Sequence, residues 1–171
     1  LLLSRSRHNL IGGINIWGEP VSVKATVEPA RQDDVAMLLR QSDLVAELLY
    51  PGEFRRPITP DYLDKPGSHV LVARLIGKAV GMCVVFDRGD ATIEVKRMIV
   101  DDNARGRGAG ASLLDAAHSH GLALGARLAL LEVGTRNVEA QALYRKAGYV
   151  FRGPFAPYDA SRISLFMERP I

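Results

Sequence analysis

The stretch from Ala91 to Leu114 reads ATIEVKRMIVDDNARGRGAGASLL. It opens on a strand-like run, Ile93 to Val100, in which β-branched and long apolar residues alternate with charged ones. A polar turn follows, Asp101-Asp102-Asn103-Ala104, then Arg105-Gly106-Arg107-Gly108-Ala109-Gly110, and a helix-like run begins at Ala111. Strand, glycine-rich turn, helix is an order that offers backbone N–H groups to an anion. The first turn of a helix has donors without partners and carries the positive end of the macrodipole. Glycines let a bulky anion approach the backbone, and Arg105 and Arg107 add charge-assisted donors beside it. From the residues alone, Arg105 to Ala111 reads as a diphosphate cradle.

Upstream, Val21 to Val27 alternates as a first strand, and Val35, Leu38, Leu39, Leu44, Val45, Leu48 and Leu49 give a helical apolar face running to Pro51. Tyr50 to Pro60 is loop, and Thr59-Pro60 starts a short helix with Thr as cap and Pro at the first position. His69 to Leu75 and Ala79 to Phe86 are strands joined at Gly77-Lys78, and Asp87-Arg88-Gly89-Asp90 turns the chain into Ile93–Val100. Three antiparallel strands thus precede the glycine loop. Downstream, Ala111 to Leu124 is an amphipathic helix with Leu113, Leu114, Ala117 and Leu122 as core candidates, capped at Gly125. Leu128 to Val133 is nearly all apolar, as a covered central strand should be. Asn137 to Ala147 is a further helix, and Tyr149 to Gly153 and Ile163 to Glu168 are the last strands.

The spacing Arg-x-x-Gly-x-Gly, directly behind Met98-Ile99-Val100, resembles the acetyl-CoA signature of the GNAT N-acetyltransferases, with Arg105, Gly108 and Gly110 in its fixed positions. The loop also contains Gly106-x-Gly108-x-x-Ala111, which satisfies the Rossmann dinucleotide pattern, but a Rossmann loop follows the first strand of a parallel sheet and this one follows a meander. The segment Asn137 to Tyr149 resembles the second GNAT hallmark, Asn-x-x-Ala-x-x-Leu-Tyr-x-x-x-Gly-Phe/Tyr, at every fixed position. One helix and one strand separate the two motifs, as in that family. The subgroup most resembled is the bacterial small-molecule acetyltransferases.

The resemblance implies an α/β (α+β) fold. Its mixed, mostly antiparallel central sheet has about six to seven strands, with a splay between two parallel strands and about four flanking helices. It implies acetyl-CoA as acyl donor, transferred by direct attack of a small-molecule or amino-acid-like amine. The pantetheine arm is expected along Met98, Ile99 and Val100, with a backbone N–H there stabilising the oxyanion. The diphosphate is expected on Arg105, Gly106, Arg107, Gly108, Ala109, Gly110 and Ala111. Tyr144 is the candidate general acid toward the thiolate and a cofactor contact, and Asn137 is a cofactor contact that can also cap its helix. Glu94 is the candidate base, on one face with Lys96 and Met98 if the strand is regular; a bulge would break that alternation. Glu132 is its rival. The acceptor is expected under Tyr50–Tyr62, where Arg55 and Arg56 lie, and the late loop Phe155–Tyr158.

Other classes are carried by less. A non-catalytic acetyl-CoA-binding regulatory module, a protein or peptide N-acetyltransferase and a dinucleotide oxidoreductase remain as alternatives. Length suits one domain with a full core: 171 residues, 47% hydrophobic and 24% charged. A net charge of +3 suits a small anionic ligand and makes no case for nucleic acid. No apolar run is long enough to cross a membrane. The single cysteine, Cys83, sits in an apolar run, fits a reducing compartment and reads as buried structure; a cytoplasmic location is expected. His69, His118 and His120 make no ligand set, so no metal is expected. Residues 1–20 read as an extension, weakly ordered or packed on a neighbour, which leaves a homodimer open; residues 21–171 read as the one domain.

Overall fold

The computed structural model describes residues 22–53 and 58–171. The expected extension, Val21, Arg55 and Arg56 lie outside the described residues. The element order is β1 (Lys24–Glu28), α1 (Asp33–Leu49), α2 (Pro60–Leu63), β2 (Ser68–Leu75), β3 (Lys78–Asp87), β4 (Thr92–Val100), a 3-10 turn at Asp102–Ala104, α3 (Ala109–Ala123), β5 (Leu128–Gly134), α4 (Val138–Lys146), β6 (Val150–Arg152) and β7 (Ser164–Pro170). The seven strands form one sheet in the order β1-β2-β3-β4-β5-β7-β6. Only β4 and β5 pair in parallel, so the sheet is mixed and mostly antiparallel, with helices on both faces.

Two apolar layers hold the sheet. On one face Leu113, Leu114 and Ala117 of α3 pack on Leu71, Val85, Ile93, Val95 and Leu131. On the other, Val35, Leu38 and Leu39 of α1 and Leu63 of α2 pack on Val70, Val72, Met82, Val84 and Ile99. Each fully buried aliphatic side chain contributes about 1.5–3 kcal/mol relative to exposure. Thr59 caps α2 as expected, its hydroxyl accepting from Tyr62 N at 3.2 Å.

Three core expectations change. Leu44 and Leu48 are 63% and 82% exposed and Leu122 is 45% exposed. In α1 the buried positions are Val35, Leu38, Leu39, Ser42 and Ala46. At 100° per residue Leu44 and Leu48 fall on the opposite side of that stripe. In α3, Leu122 likewise sits across from Leu113 and Ala117.

The pairing that positions the site is short. β4 pairs with β5 only through Thr92↔Leu128, Ile93↔Ala129 and Glu94↔Leu130. Both strands run on, to Val100 and Gly134, without pairing to each other. The sheet therefore splays open beyond Glu94. On its other side β4 carries a bulge: Met82 pairs with Ile99 and Val84 with Lys96, and Arg97 takes φ 53. One extra residue there reverses the alternation. Glu94 and Lys96 share the α1 face, but Met98 turns to the α3 layer. The expectation that Met98 shares a face with Glu94 holds only for a regular strand, and this one is not regular. Arg97 lands on the α1 side and pairs with Asp43.

Candidate active site

The glycine loop folds as a sequence of forced turns. Asp101 caps the 3-10 turn by accepting from Asn103 N at 2.9 Å. Gly106 and Gly108 have φ of +72° and +81°, a left-handed region that glycine enters without strain. A Cβ built at either would meet nothing within 4 Å, so what these positions require is conformation and open space in front of the backbone. Gly110 is different: a Cβ there would sit 2.8 Å from Leu143 Cδ2, so this glycine is needed for the approach of α3 to α4.

Gly108 is the N-cap of α3 and has no side-chain cap. Ser112 N bonds Gly108 O at 2.9 Å, but among the described residues no acceptor takes the N–H of Gly106, Arg107, Gly108, Ala109, Gly110 or Ala111. Six adjacent donors thus lead into the positive end of a fifteen-residue helix. The donor set fits a diphosphate. Arg107 has no acidic partner among the described residues, whereas Arg105 bonds Asp102 at 2.9 Å and also pairs with Glu139 of α4. Arg105 thus ties the loop to α4, and a ligand would compete with two carboxylates for it.

The splay opens on a cavity of about 410 Å³ between β4, β5, α1 and α4. Its size suits a small ligand site. Met98 and Ile99 line it on β4, and Asn137 and Tyr144 line it from α4. Asn137 caps α4, its Oδ1 accepting from Ala140 N at 3.2 Å. Tyr144 is 6% exposed, and its ring packs 5.8 Å from that of Tyr149. Its hydroxyl has no protein partner among the described residues, and burial, reinforced by Cys83 and Glu132, pushes it well above the usual phenol range. It is therefore a protonated phenol that lines the cavity. Cys83 is fully buried and its thiol is pushed up to about 12 by burial, which leaves it structural.

The charge in the cavity gathers around Glu94. Glu94 is 5% exposed. Tyr158, in the loop between β6 and β7, donates its hydroxyl to Glu94 Oε1 and accepts from Lys96 Nζ. Lys96 Nζ lies 3.2 Å from Glu94 Oε1, and Arg88 Nη1 lies 3.5 Å from Oε2. Burial and the hydrogen bond to Glu94 hold the Tyr158 hydroxyl in its protonated form. Arg88 also donates to Ala156 O at 2.8 Å, so one guanidinium joins the β3–β4 turn to the late loop. Glu132, across the splay, receives only the Ser164 hydroxyl at 2.6 Å and has no cation paired with it among the described residues. At the far end Tyr50 packs on Gly134, where a Cβ would fall 2.1 Å from its hydroxyl, and accepts from Arg136 N at 2.6 Å.

The sequence pointed to the late loop but not to Tyr158 within it, and it read Arg88 only as part of a turn. The signal for both was available in part: an aromatic with a hydrogen-bonding tip, and a cation one hairpin turn from a strand carboxylate. His118 and His120 do not meet: His118 bonds Tyr149 and Arg169, while His120 stacks edge-on to His69 at 4.5 Å. Among the described residues no group of three or more His, Cys, Asp or Glu side chains could hold a metal. No helix among them is long and apolar enough to cross a membrane.

Comparison with known proteins agrees with this geometry. The family model for the Acetyltransferase (GNAT) family matches residues 39–149, which spans both motifs and the splay. The chain belongs to the GNAT acetyltransferase family. As a GNAT member it is an acyltransferase. A relative from Azospirillum brasilense, named IAA acetyltransferase, is 39% identical over 145 residues, covering 84% of this chain and 95% of that one. The solved structure of a Klebsiella pneumoniae protein assigned to the acyl-CoA N-acyltransferases matches with TM-score 0.73 and 28% identity, over 86% of this chain and 97% of that one. A Bacillus subtilis acetyltransferase solved in complex with CoA shares the GNAT fold, with TM-score 0.65 and 17% identity over 88% of this chain and 99% of that one.

Proposed function

We propose that this GNAT enzyme transfers an acetyl group from acetyl-CoA to the amine of a small molecule, one that is amino-acid-like or carries an apolar body. The observation that carries the reading is the splay itself. Its unpaired β4 edge, a protonated Tyr144 and two carboxylates line one cavity, and the strand that forms its wall runs on into a loop whose six amides no described residue accepts from. In this reading acetyl-CoA supplies a thioester carbonyl and a thiol leaving group. The amides of Gly106 to Ala111 and the side chain of Arg107 hold its diphosphate. The backbone of Met98 to Val100 aligns the pantetheine arm, and an N–H at Met98 or Ile99 faces the developing oxyanion. Tyr144 protonates the departing thiolate, and Asn137 keeps α4 and its tyrosine in register.

Amines arrive as ammonium ions, so the acceptor half must attract a cation and then remove its proton. Glu94 takes that proton in this reading. Glu132 supports a second route, because it alone of the two has no cation paired with it among the described residues and would bind an ammonium directly. A wall of Val45, Ala46, Leu49 and Ile58 gives the acceptor an apolar contact surface.

The test is thiol release from acetyl-CoA with purified protein and a panel of amines. A small amine that saturates the enzyme supports the reading. Turnover confined to protein lysines or peptide N-termini overturns the small-molecule assignment. CoA binding without acceptor-dependent release would favour a binding module instead. Glu94→Gln and Glu132→Gln, compared over pH, separate the two proton routes: the base variant loses turnover, and the ammonium-binding variant raises the acceptor KM.

A further inference from the structure

We propose that Lys96 is an internal acceptor, a self-acetylation site that the enzyme modifies when no external amine occupies the cavity. This rests on the acetyl-transfer reading above. Lys96 is the one primary amine among the described residues that line the cavity. The other lysines, Lys24, Lys65, Lys78 and Lys146, are exposed elsewhere on the surface. Its Nζ already has what an acceptor nitrogen requires: a carboxylate at 3.2 Å and a hydroxyl partner in Tyr158. The side chain is 32% exposed, so it is neither sealed in the core nor free in solvent.

The bulge places Lys96 well for this. Arg97 absorbs the extra residue, so Lys96 stays on the acceptor face while the Met98 backbone, two residues on, borders the splay. Two strand residues span about 7 Å, a distance a flexible four-carbon lysine stem can cover. Lys96 can therefore swing from Glu94 toward the point where an acyl group is aligned.

The chemistry balances. Lys96 gives a proton to Glu94, which passes it to water through the cavity. The neutral Nζ attacks the thioester carbonyl carbon; the C–N bond forms and the C–S bond breaks. Glu94 takes the second amine proton as Tyr144 gives one to the thiolate, and Tyr144 is then reprotonated. The sum is one lysine ammonium and one thioester giving one acetamide, one thiol and one released proton. Acetylation removes the Lys96 charge beside Glu94 and fills space an acceptor would use, so the product is a slower enzyme.

The experiment incubates the full chain with acetyl-CoA and no acceptor, then maps modified lysines by peptide mass spectrometry over time. Lys96 is expected to label about tenfold or more faster than the exposed lysines, a modest share of what positioned acid–base groups contribute. An acceptor amine at saturation should suppress labelling at Lys96 and not at the others, and Tyr144→Phe should slow it at Lys96 alone. Labelling of Lys96 no faster than of the exposed lysines, while CoA still raises the melting temperature, overturns this proposal and leaves acetyl transfer standing. No melting shift with CoA overturns both. Lys96→Arg gives the background for the intact-mass measurement; undiminished acetylation of that variant also overturns it.

Discussion

Replacing Gly108 with alanine tests the cradle with a control built into the same fold. Gly108 sits at φ +81°, where an L-residue costs about 1–2 kcal/mol. No atom lies within 4 Å of the Cβ it would gain, so the protein itself adds no clash. For a chain of this size about 1 kcal/mol lowers the melting temperature by about 2–4 °C, so the fold should lose no more than roughly 8 °C. Ligand binding should lose far more, because the added methyl stands in open space at the start of α3, among six amides that no described residue accepts from. Each hydrogen bond to a charged group is worth about 1.5–3 kcal/mol, or about ten- to hundredfold in Kd. Gly77, in the β2–β3 turn, has φ +75° and an equally open Cβ direction. Gly77→Ala therefore carries the same backbone strain away from the loop. Calorimetric titration of CoA into both variants, with melting curves for each, is the assay. Gly108→Ala should match Gly77→Ala in melting and weaken CoA at least tenfold relative to it. If both bind CoA within about twofold of the parent protein, the phosphate assignment is wrong.

The remaining expectations are shorter. Tyr144→Phe should lower kcat by about 10²-fold or more while leaving the CoA Kd within a few-fold; unchanged kcat means that water protonates the thiolate. Gly110→Val should press on Leu143 and destabilise the fold by about 1–3 kcal/mol, and Leu143→Ala in the same chain should recover part of that in chemical denaturation; no recovery removes the packing explanation. His118 is held down to about 4 by burial first and Arg169 second. Between about pH 6.5 and 4 the unfolded chain therefore binds a proton that the folded chain refuses, so stability is full above that window and falls as pH drops through it, by roughly 3 kcal/mol at most. Urea melts at several pH values should show this slope, and His118→Gln should flatten it; an unchanged slope refutes the assignment.

Much of the fold was written locally. The order of strands and helices followed from alternation, Gly and Pro punctuation and caps such as Thr59 and Asn137, each of which acts within a few residues. The glycine turn was legible for the same reason: its glycines and the helix start are contiguous, and the positive φ of Gly106 and Gly108 is a property of each residue. Leu44 and Leu48 were misplaced because an apolar residue adds to a helical pattern without saying which side the sheet lies on. The acceptor half was hardest. Glu94, Arg88, Lys96 and Tyr158 come together from a strand, a turn and a distant loop, and no spacing in the chain records that meeting.

The bulge at Arg97 shows why one local irregularity controls the site. In a regular β4, Met98 would follow Glu94 and Lys96 onto the α1 face, and Arg97 would point into the α3 layer. A guanidinium there would be buried without a carboxylate, at a cost of several kcal/mol. The extra residue instead sends Arg97 to Asp43 on α1 and turns Met98 into the α3 layer. Glu94, Lys96 and Arg97 then lie on the α1 side, and Ile93, Val95, Met98 and Val100 on the α3 side. Pairing with β3 continues on both sides of the bulge, shifted by one residue, with Val84 on Lys96 and Met82 on Ile99, so the strand is still anchored where its other edge opens. A charged wall of the cavity and the apolar packing behind it thus come from the same nine residues, and the sequence Lys96-Arg97-Met98 is compatible with burial only if the alternation breaks between them.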